Sequence, residues 1–336
     1  MNWFKVIEEL DQFQKGSIAL TNLSPLTLDS LHGSMWGMNH RFISVSECIS
    51  KHQEALVSYS LRRIQKLVES PAVSFRVKKI SRCRVGFGTY GWKYDHKLIQ
   101  RAIHFGVPLI DTAEGYGYGK VEIALGEALR KSQGYVDVTT KVSRNHMSPS
   151  AIRNAAARSK KKLGIIPHYQ LHFPHDKYTD EELGSTLVAL RQQGTIRSIG
   201  LGNCSVDMVE SMQQFLSDFS GDVIRSVQVR YNLMDRRIES ALLPYCQKRG
   251  ILVIAYSPLG QRYQDLHQPV LDTIAKKIGC EPSQVALSWL LSHPGVIPIP
   301  RTNNMKHLRS NIEASDVILS QSQIDELEQI YPSEKE

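Results

Sequence analysis

Eight short apolar runs, each followed by a helical pattern, dominate the chain from Arg84 onward. The runs end near Gly88, Asp111, Lys141, His172, Gly202, Tyr231, Ser257 and Pro300. Between them, helical patterns cover residues 95–105, 120–131, 149–163, 180–193, 205–219, 238–248 and 266–277, and a further pair, 282–292 and 305–314, flanks the last run. Parallel strands need long crossover connections, usually helices. Eight such units in succession predict an α/β protein with a closed (β/α)8 TIM barrel rather than an open sheet. Gly194 and Gly250 stand where a helix should stop before the next strand.

The residues before this pattern read differently. Residues 3–13 fit a short amphipathic helix, 16–40 are rich in Ser, Thr, Gly, Asn and Met without a clear period, and 46–69 fit a longer helix closed by Pro71. In that helix Ile49, Leu56, Ser60, Ile64, Leu67 and Val68 recur near helical spacing, with Ser44 or Ser46 available as N-cap. The chain is therefore divided into a mostly helical N-terminal extension, 1–74, and a barrel, 75–336. The extension is compatible with packing on the barrel, self-association or partial disorder. A length of 336 residues suits one large barrel plus such an extension.

Composition narrows the function classes. No apolar run approaches the 18 or so residues needed to span a membrane, and the acidic amino terminus resembles neither a secretory signal nor a transit peptide. The five cysteines (Cys48, Cys83, Cys204, Cys246, Cys280) are odd in number, widely spaced and free of any Cys-x-x-Cys pair. We expect a cytoplasmic protein with no disulfide framework and no metal site. The net charge of +8 lies after residue 75, in clusters at Arg76, Lys78, Lys79, Arg82 and Arg84, at Lys160, Lys161 and Lys162, and at Arg301, Lys306 and Arg309. No nucleic-acid-binding pattern accompanies these clusters, so an anionic small molecule or a solvated face is expected instead.

In parallel α/β folds the reacting groups come from the carboxyl ends of strands. Asp111 and Lys141 end two runs, and Tyr116 follows the first within a Gly-broken turn. Such a set suggests a tuned proton donor, because a nearby ammonium favours the phenolate and lowers a tyrosine pKa from about 10. Two other signals are decoys. Gly86-Phe-Gly88-Thr-Tyr-Gly91 spells a dinucleotide fingerprint with Asp111 as the distant acid, but no helix opens directly after it. His168 and His172 would share a strand face about 13 Å apart, too far to hold one zinc with His175 nearby.

The motifs Asp111-Thr-Ala-x-x-Tyr116, Thr140-Lys141, Leu171-His172-Phe-Pro174, Gly200-Leu-Gly-Asn203, Gln228-Val-x-Tyr-Asn232, Ala255-Tyr256-Ser-Pro-Leu259 and Ile299-Pro-Arg-Thr302 occur in one order. That order and spacing resemble the aldo-keto reductase superfamily, from about Phe75 to Asn311 or beyond. The resemblance implies a (β/α)8 barrel binding NADP(H) in extended form at its mouth, with Asp111, Tyr116, Lys141 and His172 as the catalytic set. Tyr116 would donate a proton to the developing alkoxide, Lys141 would tune it, Asp111 would orient Lys141, and His172 would position the carbonyl. By the same resemblance Tyr256 would stack on the nicotinamide, while Asn203 and Gln228 would bond its carboxamide. Ser257, Leu259 and Gly260 would approach the pyrophosphate, Thr89 would line the cofactor side, Arg301 and Thr302 would meet the 2′-phosphate, and Asn311 the adenine. An arginine suits a phosphate dianion, which favours NADP over NAD. Tyr90, Trp92, Tyr118 and Phe173 suggest an aromatic substrate pocket.

Three positions depart from the family pattern: Gly202 stands where serine is usual, His307 where many members have arginine, and Ser310 where an acid is expected. They bear on cofactor strength and NADP preference, not on the catalytic four. The short 261–268 loop predicts no long belt over the dinucleotide and fast exchange. The function expected is NADPH-dependent reduction of an aldehyde or ketone, with a small-molecule carbonyl as partner and no nucleic acid or membrane. The oligomeric state and the substrate are open. A nucleotide-binding sensor with little turnover is a second reading, motivated by the extension, and a barrel isomerase or lyase without a redox step is a third.

Overall fold

The computed structural model describes residues 83–331 apart from 133, 135, 165, 175–176 and 261–267. All belong to the second of two units into which the chain divides, Arg82–Glu336. The expectations for the 1–74 extension, for His175 and for most of the 261–268 loop therefore lie outside the described residues.

Eight strands form one sheet in chain order, each parallel to the next: β1 (Phe87–Gly88), β2 (Leu109–Asp111), β3 (Asp137–Val142), β4 (His168–Leu171), β5 (Ser198–Gly202), β6 (Ile224–Arg230), β7 (Leu252–Tyr256) and β8 (Val296–Pro298). The crossovers carry α1 (His96–His104), α2 (Lys120–Arg130), α3 (Pro149–Leu163), α4 (Asp180–Gln192), α5 (Val206–Ser220), α6 (Leu242–Arg249), α7 (Pro269–Ile278) and α8 (Pro282–Ser292). Two more helices, α9 (Met305–Glu313) and α10 (Gln321–Ile330), follow β8. The chain thus forms the (β/α)8 barrel that its pattern predicts. Among the described residues no helix is long and apolar enough to cross a membrane.

Two helix boundaries and one whole helix differ from expectation, each for a local reason. The pattern at 238–248 splits into a 3-10 turn, Arg237–Glu239, and α6. Pro244 lacks an N–H and is tolerated only in a helix's first turn, so α6 cannot start much earlier. Pro269 fixes the start of α7 in the same way. The third difference is α10, which has one fully buried residue, Leu327, and so too weak an apolar period to stand out in the sequence. Its start is nonetheless marked by a capping box between Ser320 and Gln323.

Closure of the ring falls to β1 and β8. The Gly86 and Gly88 N–H groups donate to the carbonyls of Pro298 (2.9 Å) and Pro300 (3.1 Å). Those prolines have no N–H to return, so the seam is bonded in one direction only. The two strands lie so close that a Cβ on Gly88 would stand 2.7 Å from the Ile299 carbonyl oxygen, and one on Gly86 2.8 Å from Ile299 Cγ2. The glycines of the apparent dinucleotide fingerprint are thus needed at a strand seam, and the next helix, α1, begins only after its N-cap, Asp95.

The barrel interior is divided. On one side Leu109, Ile254 and Ile299 make an apolar cluster with Leu252, Ile297 and Tyr256. On the other, His168 bridges Ser198 Oγ (2.6 Å) and Ser226 Oγ (2.5 Å), and Gln170 also donates to Ser226. Burial pushes the His168 pKa down to about 4, so it sits there as a neutral hydrogen-bonding group. Larger apolar clusters fill the space between the barrel and its helices, with Trp289, Tyr169 and Tyr231 among the largest fully buried side chains.

Replacing Gly88 with alanine should test the seam. The new Cβ meets backbone that cannot yield without separating β1 from β8, so we expect a loss of about 1–3 kcal/mol in urea unfolding. An unchanged midpoint would contradict this account of closure.

Candidate active site

The ends of β2, β3 and β4 bring three of the expected residues together. Asp111 is the last residue of β2, Lys141 the penultimate residue of β3, and His172 follows β4 directly. Tyr116 opens a 3-10 turn in which Gly117 and Tyr118 both take left-handed backbone (φ 55°). A Cβ at Gly117 would meet the Tyr94 hydroxyl at 2.6 Å, so the turn that folds Tyr116 back over the strands needs glycine there.

Lys141 is 1% exposed and Asp111 3%. The ammonium lies 2.7 Å from Asp111 Oδ1 and 2.9 Å from Oδ2, 2.8 Å from the Thr112 carbonyl and 3.1 Å from the Tyr116 hydroxyl. Its three protons are therefore all engaged. Because an ammonium only donates, the Tyr116 oxygen accepts from Lys141, and the phenolic proton is directed elsewhere. The Tyr116 ring also stands 5.9 Å from the His172 ring, which stacks on Phe173 at 4.6 Å.

The charges differ in one respect from the sequence expectation. Burial is the largest influence on Tyr116, Asp111 adds to it, and together they outweigh Lys141, so the phenol lies above its ordinary pKa of 10.0 rather than below it. Desolvation of the phenolate is the main reason, and Asp111, 2.7 Å from the ammonium, offsets part of what Lys141 would otherwise contribute. For Lys141, burial favours the neutral amine, but Asp111 and Tyr116 outweigh it and the pKa rises. Burial raises Asp111, against the pull of Lys141 and Gln228. With every donor paired, the ionised Lys141–Asp111 pair beside a neutral phenol is the state these contacts fit. Burial, and then Lys141, push His172 down to about 3, so its imidazole is neutral at ordinary pH.

Several supports were not legible in the sequence. Gln228 reaches across the barrel from β6 and donates to Asp111 Oδ1 at 2.8 Å. Thr89 donates to the Asp111 carbonyl at 2.8 Å. Glu114 accepts from the Ser143 N–H (2.7 Å), His146 (2.9 Å) and Arg158 (3.0 Å), tying the loop after β3 to the end of β2. Burial pushes the Glu114 carboxyl up, but these hydrogen bonds more than offset it. The Thr112 contact uses a backbone carbonyl, which no residue type announces; Glu114, inside the Asp-Thr-Ala-Glu run, carried the only usable signal.

The remaining expected residues are placed as follows. Asn203 (φ 52°) donates to the His172 carbonyl at 2.9 Å and accepts from the Tyr256 hydroxyl at 2.8 Å. Gln228 is turned toward Asp111, so both side-chain amides spend part of their capacity on protein groups. Ser257 (φ 48°) and Gly260 (φ 75°) make a tight turn closed by the Gly260 N–H on the Ser257 carbonyl, with Leu259 half-buried against the apolar clusters. Arg301 is exposed near Gly91, Thr302 is buried and accepts from the Asn304 N–H at 3.0 Å, and Asn311 is buried. A Cβ at Gly202 would stand 2.6 Å from the His172 carbonyl oxygen, which explains why serine is absent there. Among the described residues, Ser310 Oγ, beside Asn311, is buried without a hydrogen-bond partner.

Of the four aromatic residues expected in the pocket, two flank Tyr116 and His172. Tyr90, 72% exposed, meets Tyr116 edge-on at 5.2 Å, and Phe173 covers His172. Trp92 is instead 2% exposed, packed under the loop in an apolar cluster and edge-on to Tyr94. Tyr118 is wholly exposed in its left-handed turn. Alternation of apolar and aromatic residues in an irregular loop does not tell which face each ring takes.

An NMR titration of the imidazole nitrogens checks the electrostatics. His172 should remain neutral from pH 8 down to pH 5 and protonate only near its depressed pKa of about 3. A midpoint near 6.5 would show that the site is wetter than its geometry implies.

Comparison with known proteins places this arrangement. The model of the Aldo/keto reductase family matches residues 84–332. The methylglyoxal reductase YeaE of Escherichia coli is 33% identical over 249 residues, covering 72% of this chain and 86% of its own length. An uncharacterized oxidoreductase of Mycobacterium tuberculosis is 32% identical over 292 residues, covering 75% of this chain and 89% of its own. Among solved structures, a Klebsiella pneumoniae aldo-keto reductase in complex with NADPH superposes with a TM-score of 0.71 at 28% identity, over 75% of this chain and 92% of that one. A thermostable aldo-keto reductase bound to the inhibitor epalrestat gives 0.68 at 31% identity, over 74% and 94%. The chain belongs to the aldo/keto reductase family.

Proposed function

We propose that this oxidoreductase reduces an aldehyde or ketone to an alcohol with NADPH, using Tyr116 as the proton donor. The observation that carries the reading is the Tyr116 hydroxyl held 3.1 Å from a buried ammonium whose other protons are spent on Asp111 and Thr112. Such a hydroxyl can release its proton to a developing alkoxide, and Lys141, already donating to the same oxygen, stabilises the phenolate left behind. Asp111 fixes Lys141. The neutral His172 ring, oriented by Phe173, is placed to hold the carbonyl oxygen near Tyr116. In the alcohol-oxidising direction the same phenolate takes the proton back.

The residues at the mouth fit a dinucleotide phosphate. Arg301, Lys306 and Arg309 are exposed around the start of α9, whose first turn has no acidic residue, and a helix amino terminus favours anions. The Ser257–Gly260 turn and the half-buried Tyr256 ring lie at the end of β7, where Tyr256 offers a stacking face. NADPH, with which the Klebsiella relative is in complex, would be held by these residues and would supply the hydride for the carbonyl carbon. Arg301 and its neighbours favour NADP over NAD. Since one relative is a methylglyoxal reductase, small dicarbonyls belong in the substrate panel beside aromatic aldehydes that suit Tyr90 and Phe173.

A carbonyl panel followed by loss of reduced-cofactor absorbance, with NADPH and NADH in parallel, tests the reading. Tyr116→Phe should lower kcat by about 10²–10⁴-fold, the range of a lost general acid, while the Kd for NADPH by fluorescence stays within twofold. Wild-type turnover in Tyr116→Phe would rule out the proton-donor role.

A further inference from the structure

Side chains of β6 alternate between the barrel interior and the helical layer. Ser226 and Gln228 reach inward to His168 and Asp111, whereas Val227 and Val229 pack outward. Arg230, the last residue of the strand, therefore faces inward as well, roughly 6–7 Å nearer the mouth than Gln228 at the rise of a strand. Register pairs it with Tyr256, and its guanidinium lies 5.9 Å from the Tyr256 ring.

Arg230 is half-buried, and among the described residues its guanidinium has no hydrogen bond or ion pair. Among the described residues, the other arginines that are buried or partly buried are paired: Arg236 with Glu239 and Arg191 with Asp222. Asp235, the acid close enough to sense Arg230, is held by Arg237 through two 2.9 Å contacts. Arg230 thus presents five N–H donors and a full charge at the barrel mouth with no acceptor among the described residues. A guanidinium is weakly hydrated, stacks on aromatic faces and matches carboxylate or phosphate oxygens with two parallel bonds.

We propose that Arg230 is an anion-recognition residue of the mouth, binding a carboxylate or phosphate group through its guanidinium edge while Tyr256 supports it. This rests on the mouth being the site of reduction. Two molecules could bring the anion: the dinucleotide, through its pyrophosphate, or an acidic carbonyl substrate. Neither expectation for the cofactor residues nor the aromatic pocket uses this position.

The test compares full-length wild type with Arg230→Met, which keeps the stem and removes the charge, and with Arg230→Lys; circular dichroism confirms folding. The Kd for NADPH is measured by fluorescence at low and high salt, and KM for benzaldehyde against 4-carboxybenzaldehyde. A tenfold or larger rise in the NADPH Kd, with a shallower salt dependence, supports the proposal and assigns the anion to the cofactor. A comparable rise in KM for 4-carboxybenzaldehyde alone supports it and assigns the anion to the substrate. In either case Arg230→Lys should recover part of the loss. Constants within twofold of wild type for both probes overturn it, as does an equal rise in KM for both aldehydes with NADPH binding intact, which would mean that Arg230 merely props Tyr256. If the wild type reduces neither aldehyde, the wider carbonyl panel tests the reading of function separately, and calorimetry with inorganic pyrophosphate and 4-carboxybenzoate decides the proposal: binding weakened by Arg230→Met sustains it, and unchanged or absent binding of both overturns it.

Discussion

A lysine ammonium buried to 1% exposure must find an acceptor for each proton, and that requirement organises the carboxyl end of this barrel. Breaking a buried ion pair by removing one partner typically costs about 3–5 kcal/mol, so the ends of β2 and β3 cannot drift apart cheaply. The acceptors come from three places: the Asp111 carboxylate, the Thr112 carbonyl and the Tyr116 hydroxyl. Satisfying Lys141 therefore fixes the strand end, the first peptide of the following loop and the ring that the loop carries. Position and chemistry share one cause.

Around that pair the barrel supplies supports from distant parts of the chain. Gln228 approaches Asp111 from the far side of the interior and Thr89 from the neighbouring strand. These contacts demand a closed ring, and closure in turn demands Gly86 and Gly88, since any side chain there collides with Ile299. The same crowding recurs at Gly202, where the backbone of His172 leaves no room for a Cβ. Asn203, next to it, then bonds both that backbone and Tyr256, so the proposed carbonyl-binding and cofactor-stacking groups are joined through one amide.

Much of this was legible in the sequence, because strand ends and helix punctuation are local properties. Asp111, Lys141 and His172 could be placed at strand ends from apolar runs alone, and Pro149, Pro282 and Gly250 sit at helix ends where the pattern puts them. What escaped depended on three-dimensional partners. The direction of the Tyr116 shift turns first on desolvation and then on how far Asp111 offsets Lys141, neither of which spacing reveals. Trp92 and Tyr90 stand two residues apart in one loop, yet one is core and the other rim. Gln228 matched a cofactor motif, but its amide is also engaged by Asp111 across the barrel. Arg230 lay in the unspecified position of that same motif, where only strand alternation hinted that it faces the mouth.

The central claim is that Tyr116 is a neutral donor kept protonated by a dry site and held by Lys141. The pH dependence of kcat for carbonyl reduction tests it most directly. A donor whose pKa lies above 10.0 must be lost only as the pH rises through that raised value. The account therefore predicts a rate level from pH 6 to 9 that falls only in more alkaline solution. A fall in the wild-type rate with a midpoint below pH 9, absent from the residual rate of Tyr116→Phe, would contradict it.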